Sequence, residues 1–413
     1  MTDTLDTRSA PVGGLDKAQR GAFLGALIGW IFDYYEVFLL TLLIIPITAE
    51  FDLTNGQAGL IISMQLLFMG IGGVFFGWLA DRIGRKKVLM LTILVFSIFT
   101  FARAAAPSYE ILLVLTCCAA VGIGGEYGVG QTLVSELVPA GRRGWWSGLL
   151  YGGIYLGIVV GSLVGGHITP HIGWRWTFVL SGIPVLFALW VRRHTPESAV
   201  WQERAAQPKQ QRTTKITPYI ARVWVLCVIA ACLQFFGYYG LASFLPKYIV
   251  DQGSSITSAS TWLLFTAVAG GVGCLIGSYL SDRLGRRKTL SWLAGTAAAS
   301  GIALALTWTQ LLEGGIWVKV AFFAFFIGAN GPAVFGALFS ESFPVAIRAT
   351  AVSSALQLGR AASFFPPLVA AALVPTLGYR PLVFASAGMF ALLALLAWAF
   401  RETSGQHIEE AAS

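Results

Sequence analysis

Apolar runs of about 20 residues alternate with short polar turns along the whole chain. An α-helix of about 20 residues is long enough to cross the hydrocarbon core of a bilayer. The pattern therefore predicts an all-α polytopic membrane protein with twelve transmembrane helices. The predicted spans are residues 20–50, 57–80, 87–106, 109–137, 144–168, 174–193, 219–250, 257–281, 289–308, 315–341, 346–374 and 379–400.

A polar segment, HTPESAVWQERAAQPKQQRTTKITP at residues 194–218, separates six spans from six. Its proline, glutamine and charged residues cannot form a membrane-spanning core. We therefore expect two six-helix bundles joined by a cytoplasmic linker and flanked by cytoplasmic tails. The expected parts are the N-terminal tail 1–19, the first bundle 20–193, the linker 194–218, the second bundle 219–400 and the C-terminal tail 401–413.

The two halves repeat each other. WLADRIGRKKVL at 78–89 returns as YLSDRLGRRKTL at 279–290, 201 residues later. SELVPAGRRG at 135–144 returns as SESFPVAIRA at 340–349, 205 residues later. Two separate matches at nearly the same offset indicate a duplicated six-helix unit, a layout that is typical of secondary transporters.

Lysine and arginine are concentrated in alternate turns, and this asymmetry predicts the orientation. The basic turns hold Arg82, Arg85, Lys86, Lys87, Arg142, Arg143, Arg283, Arg286, Arg287, Lys288 and Arg348. The opposite turns hold single cations, namely Arg103, Arg175, Lys247, Lys319 and Arg380. We expect the protein in the inner (plasma) membrane. Because cytoplasmic loops are enriched in lysine and arginine, both termini are expected in the cytoplasm.

Composition supports the membrane assignment. The 413 residues are 56% hydrophobic and 12% charged, whereas soluble domains hold about 25% charged residues. The net charge of +8 is explained by basic cytoplasmic loops, so no nucleic-acid partner is expected. The polar N-terminus has no apolar core of its own and is not expected to be a cleavable signal peptide. The five cysteines lie in apolar spans and are interpreted as packing residues.

The stretch GWIFDYYEVFLL, residues 29–40, places Asp33 and Glu36 inside the first span. Being three residues apart, they share one face of a helix, and Glu126 in the fourth span is a third acid at membrane depth. An unpaired charge at the bilayer centre costs at least about 2.5–3.5 kcal/mol, so such residues normally face a protein interior or a wet cavity. All three acids are candidates for proton coupling, and the alternative is that one of them only pairs with a cation or a helix end.

Arg360 is interpreted from the sequence as the only cation deep in a span. A guanidinium presents a planar fork that matches a carboxylate or a phosphate. It is therefore a candidate for binding an anionic substrate, and the alternative is a permanent salt bridge with Asp33, Glu36 or Glu126. The two roles combine if a proton on the acid frees the arginine for the substrate.

Aromatic and amide side chains at membrane depth are candidates to complete a substrate site, because they can hydrogen-bond to or stack on a planar ligand. The alternative for each of them is helix packing or anchoring at the membrane interface. These candidates are Tyr34, Tyr35, Tyr151, Tyr155, Gln234, Tyr238, Tyr239, Asn330 and Gln357. The sequence GANGP at 328–332 also interrupts the tenth span, which suits a moving element.

DRIGRKK and DRLGRRK resemble the signature loop of the major facilitator superfamily between its second and third spans. Gly77, Leu79, Asp81, Arg82, Gly84 and Arg85 match that loop. The second copy keeps Asp282, Arg283, Gly285 and Arg286, with Ser278 in place of the first glycine. The SELVP…RRG stretch is similar to the family pattern at the end of the fourth span. The resemblance covers both halves and implies the major facilitator fold.

Within the superfamily, GGEYGVGQTLVSELVPAGRRG at 124–144 and QLGRAASFFPPL at 357–368 resemble the metabolite:proton symporters, the group of niacin, aromatic-acid, sialate and lactate carriers. FDYYE departs from their Asp-x-x-Asp pattern, because Glu36 replaces the second Asp. The glycine-rich fifth span resembles that of drug antiporters but has Ser162 where their motif has proline. PES at 196–198 and, more faintly, RET at 401–403 echo motifs of sugar porters.

Acids and cations at the basic helix ends can pair when that membrane face is closed and separate when it opens. Simple anchoring by positive charge is the alternative, but anchoring needs no acids. The candidate gating residues are Asp81, Arg82, Arg85, Glu136, Arg143, Asp282, Arg283, Arg286, Glu341 and Arg348.

No enzyme is expected, and no cofactor. The sequence has no phosphate-binding Walker loop. His167 and His171, four residues apart, have no third metal ligand nearby in sequence. Transport must then be driven by an ion gradient or by the gradient of the substrate itself.

The sequence predicts a monomeric, proton-coupled importer of a small organic anion, with a monocarboxylate or an aromatic carboxylate as the leading class. A sugar or polyol symporter and an exporter of drugs or metabolites stay open as alternatives. A transporter-like sensor is a further alternative, which the short termini disfavour.

Overall fold

The computed structural model describes residues 17–138, 143–183, 186, 197, 201–203, 216–242, 245–312, 315–344 and 347–404. The described residues of the first half form six α-helices. These are α1 (Lys17–Phe51), α2 (Asn55–Ile83), α3 (Arg85–Arg103), α4 (Tyr109–Leu137), α5 (Arg143–Leu163) and α6 (Thr169–Ser181). A turn of π-helix, Val164–Ile168, links α5 to α6.

The described residues of the second half form nine α-helices of different lengths. These are α7 (Pro218–Ala242), α8 (Leu245–Asp251), α9 (Ile256–Leu284), α10 (Arg286–Leu306), α11 (Ile316–Gly328), α12 (Pro332–Glu341), α13 (Arg348–Ala361), α14 (Phe365–Leu377) and α15 (Arg380–Leu396). The described residues include no β-strand. The prediction of an all-α fold is thus confirmed.

Within the described part of the chain, nine helical stretches are long and apolar enough to cross a membrane. They account for every predicted span except the third, the sixth and the eleventh. The third is α3, which carries four cations in 19 residues. The sixth continues from α6 into residues outside the described part, and the eleventh is divided between α13 and α14. This arrangement is consistent with the twelve spans that the sequence predicts.

The tenth span is broken between α11 and α12. Pro332 has no backbone N–H and its ring would clash with the carbonyl of residue 328, so a continuous helix cannot pass this point. The Asn330 side chain caps the end of α11, because Nδ2 donates to the carbonyl oxygens of Phe326 at 2.8 Å and Ile327 at 3.1 Å. The break therefore keeps its backbone acceptors satisfied inside the protein.

The most extensive contacts between the halves are those of α2 with α13 and of α5 with α9. All ten residues of α12 are buried. The halves approach closely where glycine replaces a side chain. A β-carbon at Gly128 in α4, for example, would lie 2.7 Å from the Cα of Ser353 in α13.

The membrane face at which α2 turns into α3 and α9 turns into α10 is called the basic face below. Gly84 (φ +107°) and Gly285 (φ +96°) make these two turns. Only glycine adopts such angles without strain. The duplicated sequence thus produces the same tight turn twice.

Candidate functional site

The guanidinium of Arg360 lies among three aromatic rings at the centre of the protein. Its Cζ is 5.7 Å from the ring centroid of Trp30, 5.0 Å from that of Tyr34 and 5.4 Å from that of Phe235. These distances are in the range of cation–π attraction. Trp30 and Tyr34 come from α1, Phe235 from α7 and Arg360 from α13. We call these four residues the arginine cage.

The arginine in this cage keeps unused hydrogen-bond donors. Nη2 donates to the Tyr34 hydroxyl. Nε and Nη1 have no hydrogen-bond partner among the described residues, although Arg360 is only 1% exposed. Burying unpaired N–H groups is costly, so the cage is complementary to a group that brings oxygen acceptors. A carboxylate is such a group, and the flat ring faces around it suit a planar substrate.

Asp33 and Glu126 form a carboxyl pair beside the cage. Asp33 is fully buried, Glu126 is 2% exposed, and none of their four carboxyl oxygens has a hydrogen-bond partner in the described part of the chain. Asp33 interacts electrostatically with both Glu126 and Arg360. Glu126 packs onto Gly29, one helical turn before Asp33, where a β-carbon would lie 3.2 Å from its Cδ.

Glu126 has a hydroxyl group as its neighbour in α3. The neighbouring Thr92 hydroxyl already donates to the carbonyl oxygen of Leu89 at 2.8 Å. A hydroxyl has a single hydrogen, so towards Glu126 this group can only accept.

Glu36 lies about one turn beyond Asp33 in α1, in an ion pair that the sequence did not reveal. Its Oε2 is 2.7 Å from Nη2 of Arg103, and both side chains are fully buried. The same nitrogen donates to the Thr100 hydroxyl at 2.7 Å, and the guanidinium lies 4.6 Å from the Phe178 ring centroid. The interpretation of Arg360 as the only cation deep in a span was therefore wrong. Arg103 turns inward from the end of α3 because Glu36 compensates its charge.

The other predicted substrate residues fall into two groups. Tyr151 and Tyr239 interact electrostatically with Arg360, and Tyr238 packs edge-to-face on Tyr239 at 5.5 Å. Tyr35 instead hydrogen-bonds to Ser181 at 2.6 Å, away from the cage.

Four of the predicted amide and aromatic residues hold helices together in this state. Tyr155 donates to Oδ1 of Asn330 at 2.5 Å, across the halves. Gln234 donates to the carbonyl oxygen of Ala329 at 3.0 Å, beside the break in the tenth span. Gln357 donates to the carbonyl oxygen of Gly124 at 2.5 Å, also across the halves. The remaining oxygens of Gln234 and Gln357 have no hydrogen-bond partner among the described residues.

Sequence reasoning did not select Trp30 and Phe235. The signal was present, because Trp30 lies one helical turn before Tyr34, on the same face, and Phe235 follows Gln234. Both were indistinguishable from the many aromatic residues that pack between helices or face lipid.

Each half builds the same ion-pair cluster at the basic face. In the first, Nη2 of Arg85 is 3.0 Å from Asp81 and 3.4 Å from Glu136. In the second, Arg286 is 2.6 Å from Asp282 and 3.0 Å from Glu341. Each arginine also donates to a backbone carbonyl of the preceding helix, at 3.1 Å for Arg85 and 2.8 Å for Arg286.

These clusters also connect the halves. Asp81 accepts hydrogen bonds from the backbone N–H (2.9 Å) and the hydroxyl (2.5 Å) of Thr350. Asp282 accepts from the backbone N–H groups of Gly144 (3.2 Å) and Trp145 (2.8 Å). Arg348 lies 3.7 Å from Glu136 of the other half. The basic face is closed in this state.

The remaining predicted gating residues lie at the rim. Arg82 and Arg283 stack over aromatic rings of their own helices, 3.9 Å from Trp78 and 4.7 Å from Tyr279. The side chain of Arg143 lies outside the described residues.

Two acids from outside the predicted spans complete the clusters. Glu197, in the PES segment, accepts from the backbone N–H groups of Arg85 (2.9 Å) and Lys86 (3.3 Å). Glu402, in the RET segment, accepts from those of Arg286 (2.8 Å) and Arg287 (3.2 Å). Each carboxylate thus caps a helix start that its glycine turn exposes. The PES segment and the RET segment, whose likeness to the sugar-porter motif is fainter, thus supply equivalent capping carboxylates in the two halves.

Two parallel helical halves, a buried site between them and paired closures on one face define a secondary transporter of the membrane. The family model of the Major Facilitator Superfamily matches residues 23–365. The chain belongs to the Major Facilitator Superfamily.

The relatives are transporters of small metabolites. The chain is 33% identical over 357 residues to the cis,cis-muconate transport protein of Acinetobacter baylyi. This alignment covers 84% of this chain and 85% of that protein. The chain is 29% identical over 381 residues to the niacin transporter NiaP of the same species, covering 83% and 84%. The likeness to the metabolite:proton symporter group is thereby confirmed, as is the expectation that the protein is not an enzyme.

Among solved structures, the proton:xylose symporter XylE of E. coli has the same fold, with a TM-score of 0.82. The match covers 95% of this chain and 98% of that one at 20% identity.

Proposed function

We propose that the protein is a proton-coupled symporter that carries a small organic carboxylate, with a monocarboxylate or an aromatic carboxylate as the leading class. One observation carries this proposal: Arg360 is buried among aromatic rings with two nitrogens unpaired in the described part of the chain, beside two unpaired carboxyl groups. A carboxylate substrate would fill the open donors, and its planar part would stack on Trp30, Tyr34 or Phe235.

The charges of the site account for coupling. Arg360 contributes one positive charge, and Asp33 and Glu126 contribute two negative charges if both are ionised. In a buried site the neutral combination is favoured, so the two acids hold one proton between them before substrate binds. A monocarboxylate adds one negative charge, and one further proton restores neutrality. The site therefore takes up one proton with each monocarboxylate.

Glu36 has no part in this exchange. Its charge is compensated by Arg103 at 2.7 Å, and a proton on Glu36 would leave that arginine buried and uncompensated. Asp33 and Glu126 are the proton carriers because, among the described residues, the substrate-binding Arg360 is the cation that acts on Asp33.

Alternating access follows from the paired clusters. In the state described here the basic face is closed by Asp81, Asp282 and Arg348, and separation of these contacts would open the Arg360 site to that side. The excess of lysine and arginine makes the basic face the cytoplasmic one. The protein then acts as a monomer in the inner (plasma) membrane, with both termini in the cytoplasm, and imports its substrate.

The names of the relatives support the substrate class. Muconate and niacin are both planar carboxylic acids, and the proteins named for them align with four fifths or more of this chain.

The test is ligand-induced proton flux. The purified protein is reconstituted in liposomes with an internal pH dye and given nicotinate, cis,cis-muconate, benzoate, xylose and a cationic drug in turn. We expect internal acidification with one or more carboxylates and not with the sugar or the drug. Arg360→Ala should abolish the signal, whereas the matched control Arg380→Ala, an exposed arginine at the start of α15, should leave it unchanged.

Carboxylate-driven acidification at normal affinity in Arg360→Ala would remove the arginine from the binding site. Acidification by xylose alone would favour the second candidate, a sugar or polyol symporter. The unpaired oxygens of Gln234 and Gln357 favour that candidate, because sugar hydroxyls could donate to them.

A further inference from the structure

Gln131 is a buried amide that has no role in the site described so far. It lies in α4 and is fully buried, and neither its nitrogen nor its oxygen has a hydrogen-bond partner among the residues that the structure describes. A buried amide without partners costs free energy, and folded proteins rarely leave one so. An unpaired amide at this position therefore indicates a partner that is present in another state of the protein or in a ligand.

Gln131 faces the opposite half. A β-carbon at Gly336 in α12 would lie 2.6 Å from its Cδ, so this glycine lets the amide reach the backbone of the facing helix. Gln131 is five residues beyond Glu126 and five before Glu136, about 7.5 Å along the helix from each. It thus lies midway between the arginine cage and the closure at the basic face.

The interface is tied on both sides of this position. Towards the cage, Gln357 donates to the carbonyl oxygen of Gly124, and towards the basic face Thr350 donates to Asp81. The hydroxyl of Ser147 in α5 is another buried polar atom that is unpaired in the described part of the chain, and α5 also packs against α12. Helices α4 and α12 belong to different halves, so a separation of the halves at the basic face would part Gln131 from Gly336.

We propose that Gln131 forms a second, transient subsite for the transported carboxylate between the arginine cage and the basic face. Its Nε2 donates to a carboxylate oxygen, and its Oε1 accepts from a substrate hydroxyl or a water. This subsite rests on the proposed function. Because the amide gains a partner only after the halves separate, a bound carboxylate stabilises the state that is open to the basic face. One neutral hydrogen bond holds the ligand weakly enough to release it.

Thiol labelling tests the subsite without relying on transport. Gln131→Cys is exposed to a charged, membrane-impermeant thiol reagent in inside-out vesicles, with the natural protein and its five cysteines as the background. We expect labelling that nicotinate or cis,cis-muconate slows severalfold. Ser340→Cys, one turn beyond Gly336 in α12, is the matched control and should be slowed less. Equal slowing of the labelling in both variants, or no slowing in Gln131→Cys, would overturn the proposal of a subsite at Gln131.

The second measurement compares the KM for carboxylate presented at the basic face with the KM at the other face. Gln131→Leu should raise the KM for carboxylate presented at the basic face about three- to tenfold, which corresponds to one hydrogen bond. The KM at the other face should stay within about twofold of the natural value, because the arginine cage is intact. An equal change at both faces, or no change, contradicts the proposal. Failure of the natural protein to move any carboxylate would instead contradict the proposed function.

Discussion

At the scale of single residues, the site depends on which charges lack a partner. Arg360, Asp33 and Glu126 are buried together with open hydrogen-bonding groups, whereas Glu36 and Arg103 compensate each other. The sequence identified four of these five residues by their depth in apolar spans. It could not identify the pairs, because pairing depends on which face of each helix meets its neighbour. Arg103 was therefore assigned to an external turn although it points inward.

The shared proton predicts that either acid can replace the other. Asp33→Asn and Glu126→Gln should each keep carboxylate-coupled proton uptake, with a lower rate, because one titratable carboxyl group remains beside Arg360. The double variant should bind carboxylate with an affinity that no longer depends on pH and should not accumulate it. Binding and internal pH are measured in the same liposomes from pH 5 to 8. A double variant that still concentrates substrate would place the proton site elsewhere.

At the scale of helices, most boundaries followed from hydrophobicity. The predicted first span, 20–50, corresponds to α1 (Lys17–Phe51), and the fourth, 109–137, has the bounds of α4 (Tyr109–Leu137). Breaks were harder to predict: GANGP marked the break in the tenth span, whereas the eleventh span was predicted as continuous although Pro366 and Pro367 stand at the start of α14. A turn of 3-10 helix, Ala362–Phe364, separates α13 from α14 and packs against α2 and α7.

The ion pair between α1 and α3 predicts a characteristic double-variant result. Glu36→Gln alone should destabilise the protein by about 3–5 kcal/mol, because Arg103 stays buried without a counter-charge. Glu36→Gln with Arg103→Gln should recover much of this loss, as the two amides can hydrogen-bond. Thermal unfolding in detergent measures the stability, and proton flux measures the coupling.

Retained coupling in this double variant is the expected result, since Asp33 and Glu126 are untouched. A folded double variant that transports carboxylate without protons would assign the coupling to Glu36.

The glycine turn between α2 and α3 predicts a second effect. In Gly84→Ala the new β-carbon would lie 3.0 Å from Cδ of Glu197, at a φ of +107°. We expect a loss of about 1–2 kcal/mol from the backbone angle alone, seen as a lower melting temperature. Gly295→Ala is the matched control: it lies inside α10 with no atom within 4 Å of the added carbon, and should be neutral or stabilising by up to about 1 kcal/mol.

At the scale of the whole molecule, the duplication could be deduced from two sequence matches, and the structure extends it to acids outside the bundles. Glu197 and Glu402 occupy equivalent places although the segments around them differ. The contacts that close the basic face could not be deduced, because they join residues about 140 to 270 positions apart whose proximity depends on the state of the transporter.

The closure predicts a shift of the conformational equilibrium in Thr350→Val. The valine keeps the shape and the backbone N–H but loses the hydroxyl that donates to Asp81 at 2.5 Å. We expect the state open to the basic face to be populated severalfold more, because one charge-assisted hydrogen bond of the closed state is lost. Distances between spin labels on the two halves would report it. Thr261→Val, an exposed threonine of α9, should leave the distances unchanged.

The buried pair of Glu36 and Arg103 also has a consequence for how the chain enters the membrane during synthesis. Helix α3 carries four cations in 19 residues and ends at Arg103, and an arginine that enters the membrane without a counter-charge opposes insertion of its helix. Because α1 emerges from the ribosome first, its glutamate is already in place when α3 arrives. Neutralising Glu36 should therefore reduce the amount of protein that reaches the bilayer, before any turnover can be measured.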